Sequence, residues 1–188
     1  MLQPVEELQT LLLRRIAARD REALSQFYDQ TARPLFAIAW QMLGNAEEAE
    51  EVIQDVFVQI WSKAEKFDES RGQAFHWALS ITRNRCIDQL RARQRRSRVM
   101  VHPTDEHDLE NTPDPASGEG VLPEQELVMI RSSVANLPDD QRQAIEMAFF
   151  SGMTHLEIAA ALQEPLGTIK ARIRRGMLKL RERLQGYL

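Results

Sequence analysis

The sequence predicts an all-α protein: two small helical domains joined by a flexible acidic linker, the second domain a helix-turn-helix. Three observations predict it. Apolar residues recur at helical spacing on both sides of the middle of the chain, and no stretch alternates apolar with polar residues as a half-buried strand does. Residues 99–123 hold six acids (105, 106, 108, 110, 114, 119), no base, four prolines and almost no apolar content. Such a run cannot bury enough surface to offset its ordering entropy, and it is too long for a loop inside one compact domain. The expected boundaries are 1–97 for the first domain, 98–123 for the linker and 124–188 for the second domain.

In the first domain, Glu7–Asp20 (ELQTLLLRRIAARD) reads either as a helix or as a surface for a partner. Arg21–Tyr28 and Arg33–Met42 form two helical patterns, and Gly44 closes the second as a C′ residue. Ala49, Val52, Ile53, Val56, Phe57, Ile60 and Trp61 then form an apolar stripe of helical period. Asn45 followed by Glu48 gives that helix a capping-box-like start. FDESRG (67–72) reads as a turn. A long helix follows from Phe75 to about Arg96, with Trp77, Ile81, Ile87 and Leu90 inward and arginines outward. Cys86 within it is expected to be a small buried hydrophobe.

The second domain is punctuated more sharply. Glu124–Ala135 is helical, and Leu137-Pro138-Asp139-Asp140 opens a helix that ends at Ser151-Gly152. Thr154-His155-Leu156-Glu157 is a capping box heading a short helix with Ile158, Ala159 and Leu162 on its inner side. Gln163–Gly167 turns the chain into a last helix with Ile169, Ile173, Met177, Leu180 and Leu184 inward. The alanines 159–161 are expected to let the two helices approach closely. A short helix, a tight turn and a second helix loaded with bases is the layout of a helix-turn-helix. Its outward positions, Thr168, Lys170, Ala171, Arg172, Arg174 and Arg175, can reach base edges or phosphates in a major groove.

Net charge is −4, which on its face opposes nucleic-acid binding, but the charges are segregated. Seven arginines (83, 85, 91, 93, 95, 96, 98) face one acid between Arg83 and Arg98, and seven bases (170, 172, 174, 175, 179, 181, 183) face one acid between Lys170 and Arg183. The rest of the chain is acidic and hides both. One cysteine and four histidines exclude an internal disulfide framework and leave little for zinc; no metal and no cofactor is expected. There is no glycine-rich phosphate loop and no nucleophile motif, so an enzyme is not expected. No apolar run reaches the ~20 residues that span a bilayer, and Met1–Arg15 lacks a signal-peptide pattern. A cytoplasmic protein without membrane insertion is expected.

Three segments together resemble a known family. NAEEAEEVIQDVFVQIW (45–61) is similar to the core-polymerase-binding helix of bacterial sigma factors. RGQAFHWALSITRNRCIDQLRARQRR (71–96) is similar to their promoter-melting and minus-10-reading segment. LPDDQRQAIEMAFFSGMTHLEIAAALQEPLGTIKARIRRGMLKLRERL (137–184) is similar to their minus-35-reading domain. The two-domain plan resembles the extracytoplasmic-function (ECF) group of the sigma-70 family.

The resemblance implies that Glu50, Glu51, Gln54 and Asp55 bind the clamp helices of the largest polymerase subunit. Phe57 and Trp61 match aromatic positions of that motif, although their period favours the core. It implies minus-10 DNA contacts from Phe75, His76, Arg83, Asn84, Asp88, Arg91, Arg93, Arg95 and Arg96, with Asn84 lining a pocket for a flipped base and the arginines tracking phosphates. A surface-turn role for His76 stays open. The minus-35 contacts fall on the six outward positions of the last helix. The linker would pass through the polymerase RNA path, and an anti-sigma factor is an implied partner beside core polymerase and promoter DNA. The competing class is a stand-alone helix-turn-helix regulator whose first domain senses a ligand or dimerises.

Overall fold

The computed structural model describes residues 3–99 and 132–184, which fall into two compact units, one within Met1–Val121 and one within Leu122–Leu188. The described residues are helical, with no strand among them. The linker from Met100 on, and most of the helix expected over Glu124–Ala135, lie outside the described residues; 132–135 are helical.

The first unit is a bundle of α1 (Gln3–Ala17), α2 (Arg21–Leu43), α3 (Ala46–Lys63) and α4 (Ala74–Val99), with two short 3-10 turns, Ala64–Lys66 and Glu69–Arg71, between the last two. The N-terminal segment is a helix of this unit, because Leu12, Leu13 and Ile16 are fully buried. Asp20 caps α2, its carboxylate accepting from the Glu22 and Ala23 amides at 3.0 and 3.1 Å. Those amides and Arg15 hold its carboxyl below the usual value.

The two helical patterns expected over 21–42 are one continuous helix that runs through Pro34. The polar run Asp29-Gln30 hid the connection. Phe27, Thr31, Leu35 and Ala39, spaced by four, are all fully buried, and this unbroken seam carries the helix past the hydrogen bond that Pro34 cannot donate. Thr31 satisfies its buried hydroxyl by donating to the Phe27 carbonyl at 2.6 Å. Gly44 ends α2 at φ 68°, its N–H donating to the Trp40 carbonyl, as a left-handed C′ glycine does. Asn45 then caps α3 by accepting from the Glu48 amide at 2.9 Å.

The inner face of α4 differs from the expected one. Ala74, Ala78, Thr82 and Cys86 are essentially fully buried, whereas Trp77, Ile81 and Leu90 are only half-buried. Small side chains bring the α4 backbone close to α2 and α3, and the larger ones flank the seam.

The second unit contains α5 (Asp139–Phe149), α6 (His155–Leu162) and α7 (Leu166–Leu184). The Thr154–Glu157 capping box is complete: the Thr154 N–H donates to Glu157 Oε2 at 2.6 Å and the Glu157 N–H to Thr154 Oγ1 at 3.2 Å. Ile158, Ala159 and Ile169 form the buried centre, flanked by Met147, Met153, Leu162, Leu166 and Ile173. Of the alanine run only Ala159 is inside; Ala160 and Ala161 are exposed. Met177, expected inward, is 53% exposed. Gly176 takes the inward place, and a Cβ there would lie 2.6 Å from Ile145 Cδ1 and 3.3 Å from Gln141 Cβ.

Two stability predictions follow from this packing. Burial pushes the Cys86 thiol up to about 11, so it stays protonated and enclosed near neutral pH. A maleimide at pH 7.5 should label urea-unfolded protein quickly and native protein far more slowly; equal rates would mean that the α4 seam is open. Gly176→Val should destabilise the second unit by about 1–3 kcal/mol through overpacking. All three tryptophans, at 40, 61 and 77, lie in the first unit. The loss should therefore move the circular-dichroism transition and leave the tryptophan-fluorescence transition in place.

Candidate nucleic-acid interface

The outward face of α3 follows directly from its inward stripe. With Ala49, Val52, Ile53, Val56, Phe57 and Ile60 buried, Glu50, Glu51, Gln54 and Asp55 are left exposed together. Phe57 is 7% exposed and packs on Tyr28 and Phe27, with ring centroids 4.7 and 6.4 Å away, so it belongs to the core. Trp61 is half-buried beneath the Arg19 guanidinium, 5.6 Å above its ring; Arg19 Nη1 also donates to the Trp61 carbonyl at 2.8 Å.

Asp55 lies 3.9 Å from Arg85 of α4, and Arg85 lines a groove of about 510 Å³ between the end of α3 and α4. Asn84 and Asp88, one helical turn apart, are exposed and line it. The half-buried Trp77 and Ile81 form an apolar part of its wall, and Phe67 backs the Trp77 ring at 5.7 Å. The core assignment expected for Trp77 and Ile81 is thus only half right.

Gln59, Lys63 and Lys66 complete the groove, with Lys63 Nζ donating to Gln59 Oε1 at 3.0 Å. Sequence reasoning missed these three. The signal was present, since Lys63 and Lys66 are the only lysines before Lys170. Arg85 Nε is buried there with no hydrogen-bond partner among the described residues. The groove therefore offers two amides, one carboxylate, an aromatic wall and three cations, a combination that suits an unstacked base beside its phosphate.

Along α4, Arg91 and Arg95 continue the line of Asn84 and Asp88, and both are exposed, as are Arg93 and Arg96 on the flank. Arg83 is half-buried, and desolvation lowers its pKa. Phe75 and His76 stand in the first turn of α4 with ring centroids 6.4 Å apart, the former half-buried and the latter exposed. Neither lines the groove.

In the second unit the turn between α6 and α7 is made by Gln163, which takes the left-handed conformation at φ 54°. Gly167, expected to act in the turn, already lies inside α7. The Thr168 and Ile169 amides donate to the Pro165 carbonyl at 2.9 and 3.2 Å and close the first turn. Lys170, Ala171, Arg174 and Arg175 are exposed on α7, and Thr168 is half-buried. Arg175 Nε donates to the Ala171 carbonyl at 3.3 Å. Arg172 differs from its neighbours: its side chain is 19% exposed and it pairs with Asp140 and Glu164.

Among the described residues, no group of three or more His, Cys, Asp or Glu could hold a metal ion. No helix among them is long and apolar enough to cross a membrane.

Comparison with known proteins matches both units. The family model for sigma-70 region 2 covers residues 27–96, and that for sigma-70 region 4 covers residues 127–180. The ECF RNA polymerase sigma factor SigK of Mycolicibacterium vanbaalenii is 34% identical over 178 residues, 91% of this chain and 86% of the relative. SigK of Mycobacterium tuberculosis is 31% identical over 173 residues, 90% of each chain. Among solved structures, Rhodobacter sphaeroides SigE in complex with the anti-sigma ChrR is 34% identical, covers 92% of this chain and 96% of that one, and has a TM-score of 0.47.

Proposed function

The chain belongs to the extracytoplasmic-function sigma factors of the sigma-70 family, and on that premise we propose how its residues divide the work of starting transcription. The protein is a promoter-specificity subunit that binds core RNA polymerase and directs initiation at minus-10 and minus-35 elements. The alternative of a stand-alone regulator is not favoured, since the segment it would need as a sensor falls on the region 2 match, 27–96. Sigma factors as a family are not enzymes; this chain contributes recognition and strand capture, and the chemistry belongs to the polymerase. Its place of work is the cytoplasm, where polymerase and promoter meet.

Glu50, Glu51, Gln54 and Asp55 of α3 form the polymerase-binding face. Asn84 and Asp88 read an extruded minus-10 base in the groove, against Trp77, while Lys63, Lys66 and Arg85 neutralise its phosphate. Arg91, Arg93, Arg95 and Arg96 guide the strand along α4, and Phe75, His76 and Arg83 support the upstream end of the same helix. Lys170, Arg174 and Arg175, with Ala171 between them and Thr168 before them, face the minus-35 major groove. The linker, 98–123, tethers the units and enters the RNA path. An anti-sigma factor is the proposed regulator, the class of partner held by the R. sphaeroides relative.

The observation that carries this division is the adjacency of an acidic exposed face and a cation-lined groove on one helix pair, α3 and α4. Nucleic acid is repelled from the first and drawn to the second, so the two faces take different partners.

Reversing charge on α3 tests the first assignment. Glu51→Arg and Asp55→Arg should each raise the Kd for core polymerase by about tenfold or more, as like-charge contacts do at complementary interfaces, with helicity unchanged. Undiminished comigration with core on gel filtration would remove these residues from the interface. On α7, Lys170→Ala should cost about 1–3 kcal/mol and relax discrimination at one minus-35 base pair if it is a base contact. Run-off transcription over single-base minus-35 variants reads this out; an equal loss at every base would assign Lys170 to a phosphate.

A further inference from the structure

Arg172 lies among the outward bases of α7, yet it is turned into the protein. Its Nε lies 3.1 Å from Asp140 Oδ2, in the first turn of α5, and its Nη2 lies 3.0 Å from Glu164 Oε1, in the turn between α6 and α7. The backbone N–H of Glu164 in turn donates to the Ala159 carbonyl at 3.0 Å. One guanidinium thus joins the start of α5, the end of α6 and the first third of α7.

Near its end α7 has one further polar contact, Arg183 Nη1 donating to the Ser133 carbonyl at 3.2 Å; its first two-thirds are otherwise held by apolar contacts, Ile169 against Ile158 and Gly176 beneath Ile145. Apolar packing has little directional preference, so it holds the helix in place more firmly than it holds its rotation about its axis. A guanidinium fork bound to two carboxylates is directional. For Arg172 to reach a base edge it would have to leave both acids, stranding two carboxylates beside a polyanion.

We propose that Arg172 is a positioning residue that locks the rotation of α7, with Asp140 and Glu164 as its anchors, so that Lys170, Arg174 and Arg175 meet the minus-35 element in register. This rests on α7 being the DNA-reading helix of the second unit. It also makes an unusual prediction of sign. Removing two acids from a DNA-binding surface ordinarily strengthens binding through simple electrostatics; here their removal weakens promoter use.

The test uses full-length protein with core polymerase and a promoter mapped from transcripts that the wild-type holoenzyme makes on genomic DNA. Run-off yield is measured on that promoter and on its single-base minus-35 variants. The near-isosteric double variant Asp140→Asn/Glu164→Gln should lose roughly tenfold in minus-35-dependent yield, within the range of coupled network residues, while the ranking of minus-35 variants stays as in wild type. Arg172→Ala should do the same, and Arg172→Lys, which keeps the charge and reaches one acid, should recover part of the loss. Circular dichroism checks folding; if Arg172→Ala melts the unit, the acid-to-amide variant carries the test. Unchanged or raised yield from the double variant would overturn the proposal, as would loss of discrimination at a single base pair in Arg172→Ala. Absence of promoter-specific run-off from wild-type holoenzyme would overturn the sigma-factor reading and this one with it. Loss confined to the variants leaves the former standing.

Discussion

A helix that keeps many arginines in solvent has little surface left with which to hold itself to the protein. In α4 this constraint is met by a narrow seam: Ala74, Ala78, Thr82 and Cys86, spaced by four and each no more than 1% exposed, joined at the end by Ile87, which is buried as its period predicts. Side chains this small supply little hydrophobic area singly, but they let backbones approach closely and gain dispersion contacts along the first half of the helix. The Thr82 hydroxyl donates to the Ala78 carbonyl at 3.0 Å, so its burial leaves no orphan. Because the seam is narrow, Trp77, Ile81, Asn84 and Asp88 stand at its margin and become a groove wall.

The second unit meets the same constraint differently. α7 is also basic on its outward side and also lacks a broad apolar face, with Met177 and Leu178 about half exposed. Its hold comes from Ile169 near the start, from the absence of a side chain at Gly176, from Arg172 between two acids, and near the end from Arg183 on the Ser133 carbonyl. In the first unit the basic helix is the longest of the bundle and is supported continuously from Ala74 to Ile87. In the second it is held at separate points, and one of them is ionic.

Segregation of charge is what allows a protein of net charge −4 to serve as a DNA-reading subunit. Acids crowd the exposed face of α3 and bases crowd α4 and α7. With screening lengths of about 8 Å at physiological ionic strength, charges farther apart than that act nearly independently; the two faces touch at Asp55 and Arg85, 3.9 Å apart. The overall acidity disfavours indiscriminate duplex binding by the free chain, and specificity then depends on the polymerase presenting both units to a promoter.

Much of this was legible in the residues. Helical period, the caps at Asn45 and Thr154, the glycine at 44 and the two arginine-rich segments each depend on neighbours a few positions apart, and each appears in the structure where it was expected. What failed was always a question of which side chain meets a distant one. Arg21–Tyr28 and Arg33–Met42 read as two patterns, because the seam of Phe27, Thr31, Leu35 and Ala39 that joins them is recognisable only once the helices that bury it are in place. Trp77 and Met177 were placed inward by period alone; the structure gives the inside to Ala78 and Gly176, whose smallness matters only once an opposing helix is in position. Lys63 and Lys66 join the groove only because α3 and α4 cross there. Arg172 looked like its neighbours until Asp140 and Glu164, 32 and 8 residues away in sequence, were brought to it. The sequence by itself determined the helices, their order, their charge and the family, since these are local or compositional properties. Tertiary structure alone decided which cations stay exposed and which hold the protein together, because that depends on the carboxylates and closely packed backbones that folding brings within a few ångströms.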